Sequence, residues 1–178
     1  MGRLSRVAWL YIGLVVAAAV AMIVAGPFGG LDWVQVGALG LLLVACESSA
    51  TLINPRGLAW SANSIASLAA VVLCGPVGAA LVGCCTLFGV RRGPSPTQRV
   101  FNAGMFTVSA YLAGRTFLLF GGHVGAPEPS SFPGVIGPFA AAAVVHVTVN
   151  FALVRGVFWV TREPGPHSGG SASTSSCG

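Results

Sequence analysis

The sequence predicts an all-α, polytopic membrane helix bundle with six spans and both ends in the cytoplasm. Two observations predict it. Of 178 residues, 54% are hydrophobic and only 7% are charged, against about 25% charged in an ordinary soluble domain. The few charges also fall between long apolar blocks. A soluble globular enzyme is excluded on these grounds, because polar groups would have to cover much of the surface of a water-exposed domain of this size. All nine basic residues are arginines and four residues are acidic. The pI near 9.4 reports membrane orientation here, since the arginines form no dense stripe of the kind that binds nucleic acid.

A spanning helix needs about 20 largely apolar residues to cross a hydrocarbon core about 30 Å thick. Val7–Ala25 meets this without a charge. It reads as an uncleaved first span and not as a signal peptide: its apolar run exceeds the usual h-region, and Ile23 is a poor residue at the −3 position before Ala25. Trp33–Cys46 is shorter and ends at Glu47; to span, it must draw on Leu31 and on Ser48–Ile53. Leu58–Val90 has no charge and, as one helix, would be about 50 Å long, too long for one crossing. Gly75-Pro76 stands in its middle, where proline removes a backbone donor and clashes with the preceding turn. A tight hairpin of two short helices, spans three and four, is therefore expected there. The hairpin also returns Arg91, Arg92 and Arg99 to the side of Arg3 and Arg6, as the positive-inside rule requires. Val100–Phe120 is the fifth span and Val135–Val160 the sixth, delivering Arg162 to the cytoplasm. Asp32 and Glu128 fall in outer loops. Residues 1–162 thus form the transmembrane domain. Residues 163–178, rich in Ser, Gly and Pro, are expected to be a disordered cytoplasmic tail.

Chemistry-bearing patterns are sparse. Cys46, Cys74, Cys84, Cys85 and Cys177 contain no C-x-x-C pair and read as small buried hydrophobes. His123, His146 and His167 have no metal-ligand spacing. No nucleophile–base pair, carboxylate pair or phosphate loop occurs, so neither catalysis nor a cofactor nor a metal is expected. Small residues repeat every four positions at Ala17, Ala21 and Ala25 on the first span and at Gly75, Ala79 and Gly83 on the fourth, next to Pro76. Such faces let helices approach closely in lipid. Packing inside the bundle is the expected use; docking of another subunit is the alternative.

Polar residues inside spans are the candidate ligand-binding residues, because lipid makes them costly. Asn63 lies in a serine-rich helix start, Asn102 just inside the fifth span, and Arg115 deeper in it. His146 and Asn150 are four apart on the sixth span and share a face, with Arg155 about a turn further on. The alternative role for these groups is interhelical hydrogen bonding, with the arginines snorkelling to the headgroups.

The stretch from Glu47 to about Asn150 resembles the N-terminal multi-span membrane region of actinobacterial signalling proteins. There it precedes an HD-type phosphohydrolase, a diguanylate cyclase or a kinase domain. The residues carrying the likeness are Glu47, the Pro55-Arg56-Gly57 turn, Ser61 to Ser67, Val71 to Ala80 around Gly75-Pro76, Arg91-Arg92, Phe101-Asn102 and Asn150. The resemblance implies a non-enzymatic, sensor-like or anchoring module in a bacterial plasma membrane, with the lipid bilayer, a second copy or a separate cytoplasmic signalling protein as partners. No catalytic domain follows the last span in this chain, so the family's activity does not carry over. A second resemblance is to the substrate-binding subunits of energy-coupling-factor vitamin transporters. It implies that Ala17, Ala21 and Ala25 dock a partner subunit, and that His146 and Asn150 line a vitamin pocket.

Overall fold

The computed structural model describes residues 5–53, 63–89 and 95–161, without side-chain detail for 49–53. It is all-helical, with no strand among the described residues. The helices are α1 (Arg6–Val24), α2 (Trp33–Ile53), α3 (Asn63–Cys84), α4 (Pro96–Leu119) and α5 (Ile136–Thr161). A 3₁₀ turn, Cys85–Phe88, extends α3, and another, Pro129–Ser131, precedes α5. Three segments are long and apolar enough to cross a membrane: Arg6–Val24, Asn63–Phe88 and Ile136–Thr161. Trp33–Ser48 is a shorter apolar helix. The expected tail and the arginines at 3, 56, 91, 92 and 162 lie outside the described residues.

Helix starts follow local capping chemistry. Ser5 Oγ accepts from Ala8 N at 3.1 Å, and Asp32 Oδ1 accepts from Val34 N and Gln35 N at 2.9 and 3.2 Å. Ser95 and Gln98 form a reciprocal capping box, with Pro96 in the first turn. These bonds satisfy backbone N–H groups that have no partner within the helix. They also start α4 four residues before the apolar run that predicted it.

The expectation of six separate helices is not met. Five are present, and the charge-free block around Gly75-Pro76 is one element, α3, where two helices joined by a turn were expected. Helical hydrogen bonding is lost only locally. Gly75 alone leaves the helical region, at φ 71° and ψ −171°, and Pro76 then sits where a helix tolerates proline, at the first position of a new run. Two helical runs meet at this kink. Asn63, at the start of α3, and Gly89, beyond its end, both lie against Glu47 of α2: the Asn63 Nδ2 amide donates to Glu47 Oε2, and a Cβ at Gly89 would stand 2.9 Å from Glu47 Cγ.

α3 and α4 form the centre. α4 packs against α3, α5 and α1, and α3 against all four other long helices, whereas among the described residues α2 touches only α3 and its 3₁₀ extension. One core cluster joins α2, α3, α4 and α5 around Leu43, Val71, Val82, Phe117 and Ala142. A second joins α1, α4 and α5 around Ile12, Val15, Phe101 and Phe106. The α3–α4 approach is backbone to backbone. A Cβ at Gly83 would stand 2.9 Å from the Phe106 carbonyl carbon, and one at Gly114 would stand 2.6 Å from Pro76 Cα.

Candidate intramembrane polar site

On α3, Asn63, Ser67 and Ala70 lie three or four residues apart and are all fully buried, so one helix face turns polar groups inward. Asn63 Nδ2 is engaged by Glu47, but Asn63 Oδ1 and Ser67 Oγ have no hydrogen-bond partner among the described residues. On α5, His146 is fully buried and neither ring nitrogen is bonded among the described residues. Its ring lies 6.4 Å from the Phe106 ring, tilted by 40°. The backbone of Ser109 approaches the imidazole without completing a hydrogen bond. Ser109 Oγ itself donates to the Met105 carbonyl at 2.8 Å, so that hydroxyl donor is spent within α4.

The other expected site residues scatter. Asn102 and Asn150 are half-buried, one turn along α4 and α5 from Phe106 and His146. The antiparallel register of these helices puts them at one level. Arg115 is exposed on the opposite half of α4, away from His146, and Arg155 is exposed near the end of α5. Ala17, Ala21 and Ala25 are exposed as well. α1 packs through Ala8, Ile12, Val15 and Ala19 instead; the branched side chains of Ile12 and Val15 join Phe101 and Met105 in one core cluster. Gly75, Ala79 and Gly83 are buried where α3 meets α4, with Pro76 half-buried among them.

Sequence reasoning did not weigh Glu47 as a site residue. The available signal was that it is the only charged residue between Asp32 and Arg56. Ser67 was visible only as one of several serines.

The buried atoms offer an amide acceptor, a hydroxyl that can donate or accept, and an imidazole that, when neutral, donates through one nitrogen and accepts through the other; the Glu47 side chain of α2 adjoins the Asn63 end. A buried polar group without a partner costs about 1–3 kcal/mol, and in a lipid-facing bundle such groups mark sites of ligand, water or proton passage. No set of three metal-ligating side chains occurs among the described residues. Comparison of the chain with protein-family models, with curated proteins and with solved structures found no match.

Proposed function

We propose that the chain is a non-enzymatic, six-span membrane module of a bacterial signalling system, whose interior binds a small, neutral, hydrogen-bonding ligand. The observation that carries the reading is the set of fully buried, unpartnered polar atoms on Asn63, Ser67 and His146. Selection against such groups in lipid is strong unless something occupies them.

Six spans follow if α3 reverses direction at Gly75. A straight helix from residue 63 to residue 89 would hold its ends about 40 Å apart, yet one glutamate side chain meets both. The reversal also aligns the polar atoms. Ser67 lies seven residues before Cys74, and Gly83 lies seven residues after Pro76, so both stand at one depth. Gly83 meets Phe106 and Phe106 meets His146, which brings Ser67 and His146 to the same level of the bundle. A ligand bridging them would tie α3 to α5 and bias how both pack on α4, a shift that a cytoplasmic partner can read.

Orientation is tested by thiol labelling in a cysteine-free background. Gly93→Cys and Glu128→Cys should label from opposite sides of the membrane with an impermeant reagent; labelling from one side removes the six-span reading. Ligand binding is tested by thermal shift in nanodiscs against a panel of nucleobases, quinols, sugars and amino-acid amides. At least one compound should stabilise the wild type and fail to stabilise His146→Ala. A panel without any wild-type shift counts against the sensor reading.

The exposure of Ala17, Ala21 and Ala25 favours a second reading, the substrate-binding subunit of a vitamin transporter, in which this small-residue face docks a partner helix. It predicts a vitamin retained through purification and capture of a coupling ATPase complex that Ala21→Leu abolishes.

A further inference from the structure

Near the end of α5 a groove of about 480 Å³ is lined by Arg155, Gly156, Phe158 and Trp159. α1 crosses α5 closely beside it: Tyr11 Oη donates to the Leu153 carbonyl at 3.0 Å, and its phenol occupies the space that a side chain at Gly156 would need. Ser5 Oγ donates to the Val160 carbonyl at 3.3 Å, so the start of α1, with exposed Arg6 and Trp9, sits at the same end of the bundle. Phe158 and Trp159 are exposed. Arg155 is exposed and makes no ion pair or hydrogen bond among the described residues, and no acidic residue occurs anywhere on α1, α4 or α5.

We infer that this groove seats an anionic phospholipid of the cytoplasmic leaflet. Arg155 holds the headgroup phosphate, and Phe158 and Trp159 flank the upper acyl chain. The charge pattern selects this occupant: an unpaired guanidinium matches phosphate in charge and in its fork of donors, and basic grooves on the cytoplasmic side of a bundle recognise anionic headgroups. Arg155 lies six residues from the end of α5, about 9 Å along the axis, a depth from which its long side chain reaches the headgroup layer. The aromatic pair at the same level is the usual interfacial anchor. The inference rests on the membrane-spanning reading with the helix termini inside.

The test uses the full chain reconstituted into vesicles of equal phosphatidylglycerol and phosphatidylcholine, then released for native mass spectrometry. Phosphatidylglycerol should be retained over phosphatidylcholine by about fivefold, the equilibrium factor of one basic side chain at an anionic surface. Arg155→Gln should bring the ratio near one, Arg155→Lys should keep part of it, and Arg115→Gln should leave it unchanged. A photoreactive phosphatidylglycerol gives a readout that needs no variant, and its crosslinks should map to Arg155–Trp159. Equal retention of the two lipids by the wild type, an unchanged preference in Arg155→Gln, or crosslinks confined to other segments would each overturn the lipid site and leave the membrane reading intact. Failure of the chain to float with the vesicles would overturn both.

Discussion

α1 and α4 are the two ends of a single scale. α1 is apolar almost throughout, yet only four of its residues are buried. α4 carries Gln98, Arg99, Asn102, Thr107, Ser109 and Arg115, yet half of its 24 residues are buried and it touches three other long helices. α4, the less apolar of the two, is the more buried, the reverse of the soluble rule. The reason is the solvent. A lipid-facing helix must be apolar because it has no other means of satisfying its surroundings. A central helix is surrounded by protein, and Ser109 and Thr116 on α4 close their hydroxyls on carbonyls of their own helix. The contrast belongs to these two helices: α3 is at least as apolar as α5 and yet mostly buried, so apolarity alone does not say which helix the others cover.

The sharpest way to break this comparison is to place bulk at each end of the scale. Gly114→Leu on α4 puts side-chain atoms into the Pro76 backbone, where neither side can yield, so the chain should lose its folded, monodisperse state in detergent. Gly13→Leu on α1 meets open space and should match or exceed wild-type thermal stability, since leucine is favoured over glycine in helices by just under 1 kcal/mol. Equal loss in both variants would mean that α1 is also a packed surface.

Truncation gives the next largest difference. Phe117 is wholly buried where α3, α4 and α5 meet, and Phe117→Ala should cost about 3–5 kcal/mol. Leu14 is 69% exposed on α1, and Leu14→Ala should fall within about 0.5 kcal/mol of wild type. Reversible unfolding in mixed micelles measures both.

How much was legible in advance divides along the same line. The long, apolar, largely exposed helices α1 and α5 were found almost to the residue: Val7–Ala25 was expected and Arg6–Val24 is present, Val135–Val160 was expected and Ile136–Thr161 is present. Apolar run length is the signal that lipid imposes, so it is reliable where lipid is the neighbour. The start of α4 was placed at Val100 because Pro96-Thr97-Gln98-Arg99 is not apolar. The Ser95–Gln98 capping box was readable there and apolarity was the wrong criterion. The packing face of α1 was not legible. Ala17, Ala21 and Ala25 fit the small-residue pattern, but the face that packs is decided by Phe101 and Met105 on another helix. Of the candidate site, His146 was singled out as a polar residue on an apolar helix, and it is fully buried. Its relation to Ser67 was not, because it depends on the geometry at Gly75.

A third pair concerns the bonded part of the polar interior. Glu47→Leu removes the acceptor for Asn63 Nδ2 and leaves a second buried polar atom on that amide without a partner. A loss of about 1–3 kcal/mol is expected. The double variant Glu47→Leu with Asn63→Leu should recover part of it, because removing both partners of a buried bond is nearly neutral. No recovery would show that Glu47 stabilises the bundle through its other contacts.

The smallest expected effect carries the most information, because its sign is what matters. In a core built for stability alone, trimming a buried side chain is destabilising. Ser67 and His146 are different, since their buried polar atoms have no hydrogen-bond partner among the described residues. Ser67→Ala removes an unpaired hydroxyl and little volume, and should raise stability by a fraction of the about 1–3 kcal/mol that an unsatisfied group costs. His146→Phe keeps a ring against Phe106 and removes two unpaired nitrogens, and should act in the same direction. Ser109→Ala is the internal standard: its hydroxyl is bonded to Met105, so the change should be neutral or slightly destabilising. Stabilisation at 67 and 146 but not at 109 would mark the first two as groups kept at a cost, which is the signature of a binding site whose occupant is absent. Destabilisation at all three would place Ser67 and His146 with the packing residues and remove the polar interior as a reason to assign a ligand.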